Sequence, residues 1–315
     1  MSESLLRAAV VGVGHLGRHH ARILGSMAGV SLVAVVDTNE PRAREIAGAC
    51  GGRPVTDLRD VLDEVDLVSI ATPTEVHAAV ATACLSRGIP VLVEKPLARS
   101  VEECDAIIAA AAAGGAVLAV GHTERFNPAV MAARSAVDKP GFVEIHRMGT
   151  FPERSLDIDV VFDLMIHDLD LVLSMVGADV ESLEAVGVPV ITDRADIANA
   201  RIRFASGCVA NITASRISRE RIRKIRFFQR DAYISIDCGA KEVEAYRLVR
   251  QPGSRPQIEG GRLPVEDREP LRSELEDFVA AVRDKRPPMV TGADGRRAVA
   301  LAARITERMA ACRAI

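Results

Sequence analysis

The sequence predicts a doubly wound, mainly parallel α/β domain over residues 1–122, followed by an α+β domain over residues 123–315 whose large open sheet is mainly antiparallel. Three observations carry this reading. Gly12-x-Gly14-x-x-Gly17 stands between the apolar run Ala8–Val11 and an amphipathic stretch beginning near His15. The next apolar run, Leu32–Val36, ends in an acid, Asp37, twenty residues after Gly17. In the second half, strand-like runs follow one another without helical patterns between them, which is how antiparallel sheets read.

The first domain alternates strands and helices. Strand-like runs are Ala8–Val11, Leu32–Val36, Leu67–Ala71, Val91–Val93 and Val117–Val120. They are nearly continuous in apolar residues, as a sheet covered on both faces requires. Helical patterns run from about Pro41 to Cys50, from Glu75 to Arg87 before Gly88, and from Ser100 to Gly114. Pro41 suits a first helical turn. Ser100 with Glu103 has capping-box spacing. Together these make a Rossmann-type domain. The pattern changes after Arg125-Phe126-Asn127-Pro128. A strand is expected over Phe142–Phe151 and a helix over Val160–Met175. Further strands are expected over Ser182–Val188, Ala200–Ala205, Cys208–Ala214, Arg223–Phe228, Tyr233–Asp237 and Glu242–Val249. Residues 250–270 hold four Pro and three Gly and read as a loop. Helices over Glu274–Asp284 and about Gly292–Cys312 close the chain, able to pack back on the first domain.

The glycine loop has a chemical meaning in that context. Gly12 permits a tight turn, Gly14 lets backbone approach a pyrophosphate, and Gly17 lets the helix sit close on the sheet. Amides at the helix start, with the helix dipole, favour phosphate charge. The segment Gly12, Gly14, His15, Leu16, Gly17 is therefore the expected cofactor loop, although His15 reads equally as a surface residue. Asp37 can accept both ribose hydroxyls and would repel a 2′-phosphate, so NAD is the expected cofactor.

Composition narrows the class further. With 315 residues, 48% of them apolar, there is ample core for two domains. A net charge of −3 argues against a general nucleic-acid binder. Cys50, Cys84, Cys104, Cys208, Cys238 and Cys312 show no C-x-x-C spacing, so neither a disulfide framework nor a metal site is expected. The uncharged stretch Ala106–His122 falls short of the ~20 residues of a membrane span, and no secretion signal is expected. A cytoplasmic protein without membrane partners follows as the expectation.

Four places can do chemistry. Glu94-Lys95-Pro96 follows a parallel strand, at the end where doubly wound sheets bind ligands, so Lys95 is expected near a nicotinamide. The alternative is a surface lysine paired with Glu94. Thr72-Pro73-Thr74 with His77 ends another strand and is expected to line the cofactor's path. In the second domain, Asp163 and His167 are four apart on a helical stretch, so a carboxylate can orient an imidazole that acts as general base. The alternative is a satisfied core histidine, with Asp170 on roughly the same side. Finally, Arg216, Arg219, Arg221, Arg223, Lys224, Arg226 and Arg230 form a basic segment. One or two of its arginines could hold a diphosphate; the other reading is a solvated or subunit-facing strand.

At Glu94-Lys95-Pro96 the chain resembles the Gfo/Idh/MocA oxidoreductases. The resemblance spans the whole length and includes the glycine loop, Ala71-Thr72-Pro73, Arg125-Phe126-Asn127-Pro128, the Asp163…His167…Asp170 spacing and the helical close from Glu274. It implies that Lys95 and His167 flank the reacting carbon, with Asp163 as the matching acid. It also implies a homodimer or homotetramer built through the second sheet. Many relatives carry glycines where this chain reads Asp157-Ile158-Asp159-Val160-Val161 and Met165, which implies a differently shaped pocket floor.

A narrower resemblance, to enzymes that dehydrogenate UDP-N-acetylglucosamine at C3, rests on four segments. They are Val120–Pro128, Arg154–Val161, Leu164–Asp168 and Arg216–Arg221. It implies a sugar-nucleotide substrate, touched by Lys95, Arg125, Asn127, Asp163, His167 and Arg216, with an ammonium and an imidazole from the two domains converging on one alcohol. Two other readings stand beside it: a dehydrogenase of inositol or simple sugars, and a dinucleotide-binding regulator without catalysis.

Overall fold

The computed structural model describes residues 5–151, 158–252 and 254–312. It divides into two compact units. One takes the chain up to Thr123 together with Leu271–Arg296; the other takes Glu124–Pro270 and the residues from Arg297 on.

In the first unit, β1 (Leu6–Val11), β2 (Val30–Val36), β3 (Arg53–Val55), β4 (Leu67–Ile70), β5 (Val91–Glu94) and β6 (Leu118–Gly121) form one sheet. The order is β3-β2-β1-β4-β5-β6 and every pair is parallel. The strand order reverses between β1 and β4, which is where such sheets open a crevice at their carboxyl ends. Along the chain, α1 (Gly17–Gly25), α2 (Glu40–Cys50), α3 (His77–Leu85) and α4 (Val101–Gly114) supply the crossovers. Local chemistry sets their ends. Asn39 caps α2 by accepting from the Arg42 amide, and Ser100 caps α4 by accepting from the Glu103 amide. Later in the chain, α7 (Pro270–Asp284) buries Leu275, Phe278 and Val279 in the same core as Ile23, Leu24 and Leu92.

The second unit contains α5 (Pro128–Ala133), β7 (Phe142–Met148) and α6 (Ile166–Val176). Its remaining strands are β8 (Val180–Val188), β9 (Ile197–Phe204), β10 (Val209–Ser215), β11 (Ile222–Gln229), β12 (Ala232–Asp237), β13 (Glu242–Val249) and β14 (Gln257–Arg262). The eight-stranded sheet runs β14-β13-β12-β11-β7-β10-β9-β8. Only β7 and β10 pair in parallel; the other neighbours are antiparallel. Side chains alternate across it, so Val143 and Ile145 of β7 meet Ile225 and Phe227 of β11 in the core. The other face carries Phe142, Phe228 and Tyr233, with Phe228 in ring contact with both. The final helix, α8 (Gly292–Cys312), contributes Leu301, Ala302, Ile305 and Met309 to this core.

Some elements depart from the pattern read in the sequence. The loop expected over 250–270 contains β14, an exposed edge strand with Gly260 and Gly261 at φ +135° and +153°. A Cβ on Gly260 would lie 2.0 Å from the Ala245 carbonyl oxygen, so only glycine brings that strand so close. The helix expected over Val160–Met175 is a π-helical turn, Val161–Met165, that continues into α6. Pro128 starts α5, with Asn127 accepting from the Ala129 amide.

Candidate functional site

Each unit presents its own group of residues. In the first, the chain leaves β1 through Gly12, at φ +79°, where a Cβ would sit 2.8 Å from Thr72 backbone atoms. A Cβ on Gly17 would sit 1.8 Å from the Gly12 carbonyl oxygen, so α1 starts tight against the loop. Gly14 is different: nothing lies within 4 Å of its would-be Cβ. Gly14, His15 and Leu16 are exposed, and α1 begins without a side-chain cap. No side chain occupies the space before its first turn, where Arg18 and His19 N–H reach only the Gly14 and Leu16 carbonyls, which leaves a cradle for phosphate. Asp37 is held by two amides: Val13 N donates to Oδ2 at 2.9 Å and Asn39 N donates to Oδ1 at 2.9 Å. Arg42 adds a bond from Nε to the Val13 carbonyl. The Thr72 hydroxyl is a buried polar atom with no hydrogen-bond partner among the described residues. An open cradle, an uncapped helix and an orphaned hydroxyl all fit a bound dinucleotide.

The two glycines predict opposite outcomes. Gly14→Ala should leave the melting temperature unchanged but weaken NAD binding about tenfold or more, because its methyl enters only the open cradle. Gly17→Ala should disturb the fold of the loop itself. Calorimetry with and without NAD separates the two.

Beyond the loop, Thr72 and Pro73 follow β4, while Glu94 ends β5 and Lys95 follows it. His77, expected beside the cofactor, is buried and its ring joins the two strand ends. Nδ1 lies 3.0 Å from the Pro96 carbonyl oxygen and Nε2 lies 2.9 Å from that of Thr72. It therefore ties the segment after β4 to the one after β5. Glu94, expected in the same role, is also buried: Oε1 lies 3.0 Å from His20 Nε2, and Oε2 accepts from the Lys95 amide at 3.2 Å. Burial works to raise its pKa, but the His20 hydrogen bond and the Lys95 charge outweigh it, so the carboxyl titrates below its usual range. Lys95 is half-buried and the Lys95–Pro96 peptide is cis.

In the second unit, Asp159 accepts from the Val161 and Phe162 amides and so starts the π-helical turn that carries Asp163. Asp163 and His167, both half-buried, straddle the change to α-helical winding. Two buried ion pairs flank His167. Arg147 on β7 binds Asp168 through Nε and Nη2, both at 2.8 Å, and reaches Glu124 at 3.0 Å. Arg125 binds Asp170 at 2.6 and 2.8 Å. Burial opposes the Arg147 charge, but Asp168 and Glu124 outweigh it and hold the guanidinium above its ordinary value. Arg125 and Asn127, expected on substrate, are thus engaged within this unit. Asn127 donates to the Cys238 carbonyl at 3.1 Å while capping α5.

Arg216 departs furthest from expectation. Its guanidinium is fully buried, bonded to Asp196 Oδ1, the Ile158 carbonyl and Thr192 Oγ1. Asp196 in turn accepts from the amides of Val190, Ile191 and Thr192. This is a structural knot. Of the basic segment, Arg219, Arg221 and Arg223 are exposed, and Arg223 lies 3.7 Å from Glu124. Lys224 and Arg226 face the other side of β11, toward Asp237 and Glu144. The Arg154–Asp157 part of the motif lies outside the described residues.

The sequence reading missed Ser69, His20 and Glu94 as a buried group. A signal existed: Ser69 and Glu94 interrupt strands that are otherwise apolar, and His20 lies three residues after Gly17, on the helix face turned to the sheet. Among the described residues there is no cluster of His, Cys, Asp and Glu that could hold a metal, and no helix long and apolar enough to cross a membrane.

Comparison with known proteins is consistent with this geometry. Residues 6–122 match the oxidoreductase family with an NAD-binding Rossmann fold, and residues 103–234 match the GFO/IDH/MocA C-terminal domain. The UDP-N-acetylglucosamine 3-dehydrogenase of Acidithiobacillus ferrooxidans is 42% identical over 304 residues, covering 95% of this chain and 96% of that one. A solved structure of that enzyme superposes with a TM-score of 0.90 at 40% identity, covering 97% of this chain and 98% of that one. An inositol 2-dehydrogenase of Rhizobium meliloti is 29% identical, covering 94% of each chain. Levoglucosan dehydrogenase in complex with NADH and levoglucosan shares the fold, with a TM-score of 0.87, 22% identity and 98% of each chain covered. The chain belongs to the Gfo/Idh/MocA family of NAD-binding oxidoreductases.

Proposed function

We propose that this protein oxidises the C3 hydroxyl of UDP-N-acetylglucosamine to the 3-keto sugar nucleotide, with NAD, in the cytoplasm. The observation that carries the reading is 42% identity across nearly the full length of an enzyme with that activity. Bound NAD supplies the hydride acceptor. His167, oriented by Asp163, accepts the hydroxyl proton. Lys95 hydrogen-bonds the same oxygen and stabilises the charge that develops on it. Gly12, Gly14, Gly17 and the start of α1 hold the pyrophosphate, Asp37 the ribose, and Thr72 and Pro73 line the path. Arg219, Arg221 and Arg223, exposed on and beside β11, are the candidates for the substrate diphosphate. The face bearing Phe142, Phe228 and Tyr233 supports assembly into a dimer or tetramer, which light scattering would read directly.

The test is purified protein with NAD and UDP-N-acetylglucosamine, with a trap for the keto product, followed by nicotinamide absorbance. Reduction of NAD is expected with the sugar nucleotide and not with free N-acetylglucosamine or inositol. Reduction with inositol alone would favour the activity named for the Rhizobium meliloti relative. No reduction with any sugar would leave a non-catalytic dinucleotide binder.

A further inference from the structure

We propose that His20 is a positioning residue for Lys95: with Ser69 and Glu94 it forms a buried polar chain that fixes the backbone and the local charge from which Lys95 acts. This rests on the reading of Lys95 as the group that meets the substrate oxygen. The chain crosses three elements. His20 Nδ1 lies 2.7 Å from Ser69 Oγ of β4, and Nε2 lies 3.0 Å from Glu94 Oε1 of β5. The other Glu94 oxygen accepts the amide of Lys95 itself. His20 and Ser69 are fully buried and Glu94 is 5% exposed.

Three buried polar groups, two in the sheet and one on the helix packed against it, are costly unless each finds a partner. An apolar trio of similar volume would pack as well, so packing alone gives no reason for them. Their placement gives one. A carboxylate only accepts, so the proton between His20 and Glu94 belongs to Nε2. That bond stabilises the ionised form of a buried acid whose neighbour in sequence is the lysine. Room for the acid is built in: β6 places Gly121 opposite Glu94, and a Cβ there would come within 3.0 to 3.2 Å of it. The same histidine sits one turn after Gly17. It thereby ties the helix that starts at the cofactor loop to the strand that ends at Lys95.

The test uses full-length protein with NADH bound and needs no sugar. Acetic anhydride labelling of Lys95 at a series of pH values, read by mass spectrometry, gives its titration midpoint. In His20→Leu the Glu94 carboxyl loses its donor and burial drives it toward the neutral form. Lys95 then loses a neighbouring negative charge, and its midpoint should fall by about one pH unit. Glu94→Gln, nearly isosteric, should give the same fall and serves if His20→Leu does not fold. His20→Gln, which keeps an N–H donor, should restore most of the midpoint. In turnover, the alkaline limb of kcat/KM should move down with the midpoint, while the KM for NAD stays within about twofold. Variants that melt earlier yet label Lys95 at the unaltered midpoint would overturn the proposal, leaving the trio a fold support. Unaltered protein that ignores UDP-N-acetylglucosamine would overturn the proposed substrate and leave the labelling result standing.

Discussion

Lys95→Met and His167→Ala should each lower kcat by about 10²–10⁴-fold, the usual contribution of a positioned acid or base. NAD affinity should change little. The loop that fits the pyrophosphate and the carboxylate that fits the ribose belong to Gly12–Gly17 and Asp37, and neither substitution touches them. The pattern across constants matters as much as the size. A residue that acts mainly in the transition state lowers kcat and kcat/KM together, whereas one that merely holds sugar raises KM. Isothermal titration with NADH, alongside steady-state rates, distinguishes these outcomes. Near-normal turnover in both variants would remove Lys95 and His167 from the chemistry.

Arg216→Met should destabilise the second unit by about 3–5 kcal/mol, because it strands a buried carboxylate. Asp196 is fully buried, and Arg216 is its charged partner at 2.9 Å. The three backbone amides and the Thr192 hydroxyl that remain would soften the loss without cancelling it. The pH dependence of this knot has a definite sign. Burial would raise the Asp196 pKa, but the amides of Ile191, Thr192 and Val190 and the Thr192 hydroxyl outweigh it and hold the carboxyl well below its usual range. A depressed folded-state pKa stabilises fully above the unfolded value near ~4, and the contribution fades as acid protonates the folded carboxyl. The unaltered protein should therefore lose stability from below about pH 4, and Asp196→Asn should flatten that part of the curve. Chemical denaturation at several acid pH values reads both. An Arg216→Met protein as stable as the unaltered one would show the knot to be dispensable.

Most of the parallel sheet was legible because β1, β2, β4, β5 and β6, largely buried, read as nearly continuous apolar runs. The antiparallel strands were legible by alternation, and β13 begins and ends where the pattern does. The exceptions are β14 and β3. β14 buries almost nothing, so it carries no period of two; backbone pairing with β13 and glycines at positive φ hold it. β3 is three residues long with a proline in the middle. At the candidate site, the glycine loop and Asp37 could be placed because their physics is local. Arg125, Asn127 and Arg216 could not, because their partners lie 45, 111 and 20 residues away and sequence alone does not bring Asp170, Cys238 and Asp196 beside them. Arginine in a dense basic run suggests a ligand; only the fold reveals that one member is consumed internally. The π-helical turn was hidden for a related reason. Four-residue spacing keeps Asp163 and His167 on nearly the same side under either winding, so the pattern does not tell them apart.

The grip on Asp37 bears on cofactor exchange. Its two oxygens fasten the backbone at Val13 and Asn39, so the acid proposed to read the ribose is also a hinge pin of the loop. Retuning this chain for a phosphorylated dinucleotide is consequently not a one-letter edit. Any neutral replacement must also supply acceptors for those two amides, or the recess it was meant to enlarge will lose its shape.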